Sequence, residues 1–230
     1  MPAEPVDPRW PKLLSLTVHE FRTPMTVVAG YLRMLLKERA GPVSEPQRRL
    51  LEEAERSCAR LSALLAEVSE LSGLEGGTVS FNRSRIDLRG LLRDSIAALP
   101  ELPDRDVAVE LETGGGECAI DGDAQRLKTA LTAVIAALRR ELVTSDQLFV
   151  NAHGRRHHGR EVSWIAVSDA ARMPQLSRAD DSSLTTFDEW RGGVGLSLAV
   201  ARRIINAHGG SIWSPVEESK AAAVVVLPHA

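Results

Sequence analysis

Val18-His19-Glu20-Phe21-Arg22-Thr23-Pro24-Met25-Thr26-Val27-Val28 is the stretch on which the fold turns. Apolar residues at Val18, Phe21, Met25, Val28, Leu32 and Leu35 step by 3, 4, 3, 4, 3, the seam of a coiled coil or helix bundle. His19 stands one residue past that seam, so it flanks the packed stripe rather than filling it. An imidazole there is a nucleophile whose charge adjusts near neutral pH. Glu20 beside it can orient the ring or take its proton. Pro24 removes a backbone hydrogen bond one turn later.

A break follows at Gly41-Pro42-Val43-Ser44, with Ser44 as helix cap and Glu45 in the first turn. A second seam runs through Leu51, Ala54, Cys58, Leu61, Leu65 and Val68 and stops near Ser72-Gly73. Two matched seams and a short turn predict an antiparallel hairpin over about 10–73. One hairpin has too little apolar area to stand alone. It either pairs with a second copy as a four-helix bundle, making a homodimer, or packs on the rest of its own chain.

The whole chain has 230 residues, 43% of them hydrophobic and 26% charged, so it is long enough for two globular domains. A net charge of −3 gives no broad attraction to nucleic acid or anionic lipid. Cys58 and Cys118 lie far apart with no CxxC spacing, which argues for buried thiols rather than a metal motif or disulfide framework. No run approaches the ~18 apolar residues that span a bilayer. The first ten residues lack the layout of a secretion signal. A cytoplasmic protein is expected.

Downstream the pattern changes. Val79 to Phe81 reads as a strand, Asp87 as the cap of a helix over 88–98, and Val107 to Leu111 as a strand. Cys118-Ala119-Ile120 is a further strand, and Asp123 opens a helix reaching about 141. Leu148 to Ala152 and Val162 to Val167 are strands joined by a His-, Gly- and Arg-rich turn at 153–160. The segment 170–192 is aperiodic. Leu196 to Ala207 is a helix, and Ser211 to Ser214 and Ala223 to Leu227 complete a sheet. The expectation is α+β, with the hairpin in 1–75 and an α/β sandwich in 76–230. Trp164, Trp190 and Trp213 are expected to fill gaps in that sandwich. His208 is expected at a helix C-terminus, where the dipole favours a cation. His153, His157 and His158 have no acid or cysteine partner in sequence, so they read as a solvated hairpin tip and no metal site is expected.

His19-Glu20-Phe21-Arg22-Thr23-Pro24-Met25-Thr26 resembles the H-box of bacterial sensor histidine kinases, in their dimerisation and phosphoacceptor domain. The resemblance implies that His19 accepts a phosphoryl group and that Glu20 is its acid/base partner. It implies that Thr23 positions water during dephosphorylation, and that Phe21 and Met25 help form the core and the dock for a response-regulator receiver domain. The remainder resembles the Bergerat-type (GHKL) ATP-binding domain of the same kinases. Asp123-x-x-Arg126-Leu127 looks like the start of the asparagine box, Val167-Ser168-Asp169 like the adenine-binding strand and aspartate, and Gly193-Val194-Gly195-Leu196 like the last glycine box. By resemblance Asp169, Gly193, Gly195 and Arg140 would bind ATP, with Mg²⁺ at its phosphates. The chain departs from the pattern where the metal-holding asparagine falls on Ala137, and where two glycines fall on Ala171 and Met173.

Three functions follow as expectations. The first is a histidine kinase core that phosphorylates His19 from ATP and passes the group to a receiver aspartate. The second is a histidine phosphotransferase or pseudokinase that relays phosphoryl groups between receivers without ATP hydrolysis. The third is a dimeric interaction module with no chemistry.

Overall fold

The structure, a computed structural model, describes residues 9–113, 118–191, 195–216 and 221–229. The chain divides into two compact units, Met1–Val79 and Ser80–Ala230.

The first unit is two long helices, α1 (Trp10–Leu36) and α2 (Glu45–Glu75). The turn between them is fixed locally. Gln47 Oε1 accepts the Ser44 N–H at 2.8 Å, and Arg48 donates to the Leu36 carbonyl at 3.2 Å while pairing with Glu38. At the open end the Ser72 hydroxyl donates to the Pro11 carbonyl. Val18, Cys58 and Ser72 are buried between the helices, and Leu14, Met25, Ala29, Leu32, Leu51, Leu65 and Val68 are half-buried. The expected seam is therefore displaced in part, since Phe21, Val28, Ala54 and Leu61 face outward. Trp10, Leu13, Leu16, Val27, Tyr31 and Met34 are exposed with them. The sequence carries two apolar stripes per helix pair, and one hairpin can bury only one of them.

The second unit is a six-stranded mixed sheet with its longer helices on one face. The strands are β2 (Ala108–Thr113), β4 (Gln147–His157), β5 (Arg160–Ser168), β6 (Leu184–Thr186), β7 (Ser211–Pro215) and β8 (Ala223–Pro228), in the order β2-β4-β5-β8-β7-β6. Among the described residues only β2 and β4 pair in parallel, and the other neighbours are antiparallel. A separate ribbon joins β1 (Ser84–Asp87) to β3 (Ala119–Gly122). The helices are α3 (Leu88–Ala97), α4 (Ala124–Glu141), the single turn α5 (Met173–Leu176) and α6 (Ser197–Ala207). Asp87 caps α3 by accepting the Arg89 and Gly90 N–H groups, and Asp123 caps α4 by accepting that of Arg126.

Side chains alternate across each strand. Leu127, Leu131, Val134 and Leu138 of α4 and Ile204 and Ile205 of α6 are fully buried on the helix side. On the other face Val162, Trp164, Ala166, Val224 and Val226 pack against Met173, Leu176, Ala179 and Leu184. The aperiodic segment is thus a third layer that covers the sheet. Trp164 is fully buried there, its indole N–H donating to the Leu176 carbonyl at 3.0 Å.

Several expectations need correction. Val79 to Phe81 is not a strand; the pairing begins at Ser84, where β1 meets β3. β4 and β5 extend to His157 and from Arg160, so the expected turn at 153–160 is only His158-Gly159. Both turn residues have positive φ, 48° and 75°, the twist that two-residue hairpins need. Trp190 is 69% exposed and fills no gap. Cys58 and Cys118 are buried free thiols, as expected. Among the described residues no helix is long and apolar enough to cross a membrane.

Candidate functional site

His19 lies near the middle of α1 with its side chain 76% exposed, beside Glu20 at 74%. Its Nδ1 is 3.6 Å from Glu20 Oε1. At that distance the two make no direct hydrogen bond, and the imidazole stays open to solvent. His19, Arg22, Thr23, Thr26 and Val27 line an open cleft of about 370 Å³. Helical spacing sets this up, since residues three and four apart share a face. Thr26 is tied back to the helix, donating to the Arg22 carbonyl at 2.9 Å. Pro24 sits inside the helix and has no N–H to give the Glu20 carbonyl.

In the second unit Asp169 follows the last residue of β5 and is buried. Its carboxylate is taken up by its own chain. Oδ1 accepts the Arg172 N–H at 3.0 Å, and Oδ2 accepts the Arg172 guanidinium at 2.8 Å and the Thr144 hydroxyl at 3.4 Å. The Asp169 carbonyl accepts the Met173 N–H at 3.1 Å, which starts α5 where the resemblance wants a glycine. Met173 is buried in the third layer, so this position serves packing.

Thr144 follows α4, and Glu141 is the last residue of α4. Glu141 is bridged by Arg191, whose Nε lies 3.0 Å from Oε2. The Asp169 loop and the segment ending at Arg191 therefore both reach the C-terminal end of α4. Arg140 is there too, half-buried, with burial pulling its guanidinium below the usual range and Glu141 acting the other way. The next segment is held from beneath, with Phe187 buried and Glu189 accepting from Arg202 at 3.2 Å and Arg203 at 2.6 Å. Gly195 adopts φ 63° just before α6, a conformation that glycine reaches without strain. Gly193 lies outside the described residues.

Magnesium and ATP, implied by the resemblance, can be tested against these side chains. Ala137 is fully buried in α4 and offers no oxygen to a hard cation. Asp169, the expected adenine acceptor, already accepts three donors from its own chain. As arranged, these residues do not fit a magnesium–nucleotide pair.

Sequence reasoning missed two features. His208 stands at the C-terminus of α6 as expected, but it is 3% exposed and held by hydrogen bonds rather than as a cation on the dipole. Its Nδ1 meets the Ile204 carbonyl at 2.7 Å and its Nε2 accepts the Asp123 N–H at 3.0 Å, so the ring is neutral with its proton on Nδ1. Burial holds it below the usual histidine range. Burial alone would raise the Asp123 carboxyl, but the Arg126 and Asn82 N–H groups and the Arg126 guanidinium hold it low. The second miss is Asp181, which meets both His157 (3.3 Å) and His158 (2.7 Å), though 23 residues separate it from His158.

Residues 12–77 match the His Kinase A (phospho-acceptor) domain family, HisKA. The chain is 25% identical over 210 residues to the circadian input-output histidine kinase CikA of Synechococcus elongatus, covering 87% of this chain and 27% of that protein. It is 27% identical over 206 residues to the signal transduction histidine-protein kinase BarA of Escherichia coli K12, covering 84% and 22%. The chain thus spans about a quarter of the length of these relatives. The crystal structure of full-length ShkA in complex with AMPPNP superposes with a TM-score of 0.69 at 20% identity, covering 96% of this chain and 46% of ShkA. That likeness concerns the fold.

Proposed function

We propose, from the premise that this chain belongs with the sensor histidine kinases of two-component signalling and that residues 12–77 are its phospho-acceptor domain, that His19 exchanges phosphoryl groups with response-regulator receiver domains. The observation that carries the reading is an exposed His19 in an open cleft, set against an Asp169 carboxylate already held by Arg172. Phosphoryl transfer depends on positioning and on neutralising charge, and His19 needs only a visiting donor.

In the forward step His19 Nε2 attacks the phosphorus of a receiver's aspartyl phosphate. The N–P bond forms as the O–P bond to the receiver breaks, and the carboxylate leaves. The Nδ1 proton passes to Glu20, whose carboxylate oxygen lies 3.6 Å away and closes on it in the complex. Transfer to a second receiver is the same step reversed. Thr23, one turn along and in the same cleft, holds the water that dephosphorylates a receiver. Phe21, Val28, Tyr31 and Leu61 form an apolar surface that a second copy of the hairpin covers, giving a homodimer.

The test charges the full chain with receiver domains pre-labelled by radioactive acetyl phosphate, and in parallel with radiolabelled ATP. Acid-labile label arrives from a cognate receiver, none arrives from ATP, and His19→Gln takes none from either source. Label arriving from ATP, or persisting in His19→Gln, overturns the reading. As His19 is exposed, the substitution leaves the melting temperature unchanged.

A further inference from the structure

The turn between β4 and β5 carries a cluster that phosphoryl chemistry at His19 does not use. His157 ends β4, His158 occupies the turn, and Asp181 begins a 3-10 turn in the layer that covers the sheet. Asp181 presents one oxygen to each ring, Oδ1 at 3.3 Å from His157 Nε2 and Oδ2 at 2.7 Å from His158 Nε2. One ligand atom from each of the three residues lies within 4.8 Å of the other two. The ring centroids are 4.1 Å apart. We propose that His157, His158 and Asp181 bind a borderline divalent transition-metal ion, with Zn²⁺ as the probe.

The donor set suits such an ion. Two imidazole nitrogens and a carboxylate oxygen leave further coordination positions for water, as in open zinc sites. An ordinary ion pair explains the arrangement less well. One carboxylate here faces two imidazole nitrogens at once, 3.3 and 2.7 Å away, a convergence of three donor atoms rather than a simple pair. The backbone points the same way. His158 holds φ 48° at a turn position where asparagine or glycine sits without strain, so the turn itself does not ask for histidine.

The surroundings hold the ligands without competing for them. His157 packs edge-on against Trp164, with centroids 5.3 Å apart. Arg155 is a cation close enough to act on His157. Its guanidinium stacks 4.0 Å from the Trp164 ring centroid and donates to the Ala179 carbonyl at 3.0 Å, which occupies it. Asp180 is committed to its own turn, accepting from Ser182 N and Oγ. A bound ion would tie the β4–β5 turn to the segment that follows Asp169.

The test strips the full chain with a chelator and titrates it with Zn²⁺ by calorimetry, with Co²⁺ absorption as a second probe. One equivalent binds to the unaltered chain. That equivalent weakens at least ~10-fold in His158→Ala and in Asp181→Asn, the loss that even outer-shell partners produce in metal sites. His153→Ala, two residues inside β4 from the turn pair, leaves it unchanged. Zn²⁺ also slows proteolysis within 170–187 in the unaltered chain but not in the two variants. His158→Ala and Asp181→Asn melt with the parent in chelator, because both residues are exposed. Absence of binding to the unaltered chain, or affinity unchanged in both ligand variants, overturns the proposal. Neither outcome bears on His19, which a His19→Gln background keeps separate.

Discussion

At the scale of single residues, two buried polar groups have measurable consequences. His208 is neutral in the fold and held below the ordinary histidine pKa of ~6.5. The unfolded chain therefore binds more protons between the two values, and stability rises with pH across that window. Its contribution is complete above pH ~6.5 and is lost as the pH falls toward the folded value. Chemical denaturation from pH 7.5 to 5 should show that slope, and His208→Gln should flatten it. His153 and His157, both also lowered chiefly by burial, keep a residual slope. Asp169 gives the second consequence. Asp169→Asn leaves Arg172 short of its carboxylate and should cost about 1–3 kcal/mol of unfolding free energy, read by thermal melting. A residue kept for ligand alone would show no such loss. Arg172 stands only three positions from Asp169, so its identity was visible in sequence. Whether its guanidinium would turn back on Asp169 or out to solvent was not, because that depends on the loop closing against α4.

At the scale of elements, periodicity decided most of what was legible. The long helices, the capping aspartates at 87 and 123 and the strands near 148–152 and 162–167 follow from spacing and cap chemistry. The strand expected at 79–81 failed because Val79-Ser80-Phe81 alternates apolar and polar over too few residues to tell a paired strand from a connecting segment. The segment 170–192 was illegible for the opposite reason. Its Met173, Leu176, Ala179 and Leu184 follow no regular period, yet together they cover the outer face of β5 and β8. Gly210, between α6 and β7, is fixed by tertiary packing. A Cβ there would lie 2.4 Å from the Val226 carbonyl oxygen and 3.1 Å from an Ile205 methyl. Gly210→Ala should therefore destabilise the second unit by about 1–3 kcal/mol or more, as overpacking of cores does.

At the scale of the whole molecule, the hairpin's outer stripe is what a single chain leaves unresolved. Sedimentation equilibrium should give a particle of twice the 25.0 kDa chain mass. Val28→Glu combined with Tyr31→Glu should return it to the chain mass, since like charges then face one another across the pairing surface. The seam positions Phe21, Val28 and Leu61 lie on the outside of the hairpin, and heptad counting cannot tell an inner stripe from an outer one. The missing amide at Pro24 has a mechanical meaning in such an assembly. The rod lacks one rung beside the His19 ring, so a twist entering from either end finds its softest point there, and yielding costs no broken bond. Pro24→Ala would restore the rung and stiffen the hairpin by up to about 3 kcal/mol, and torque reaching this stalk would then pass the imidazole by.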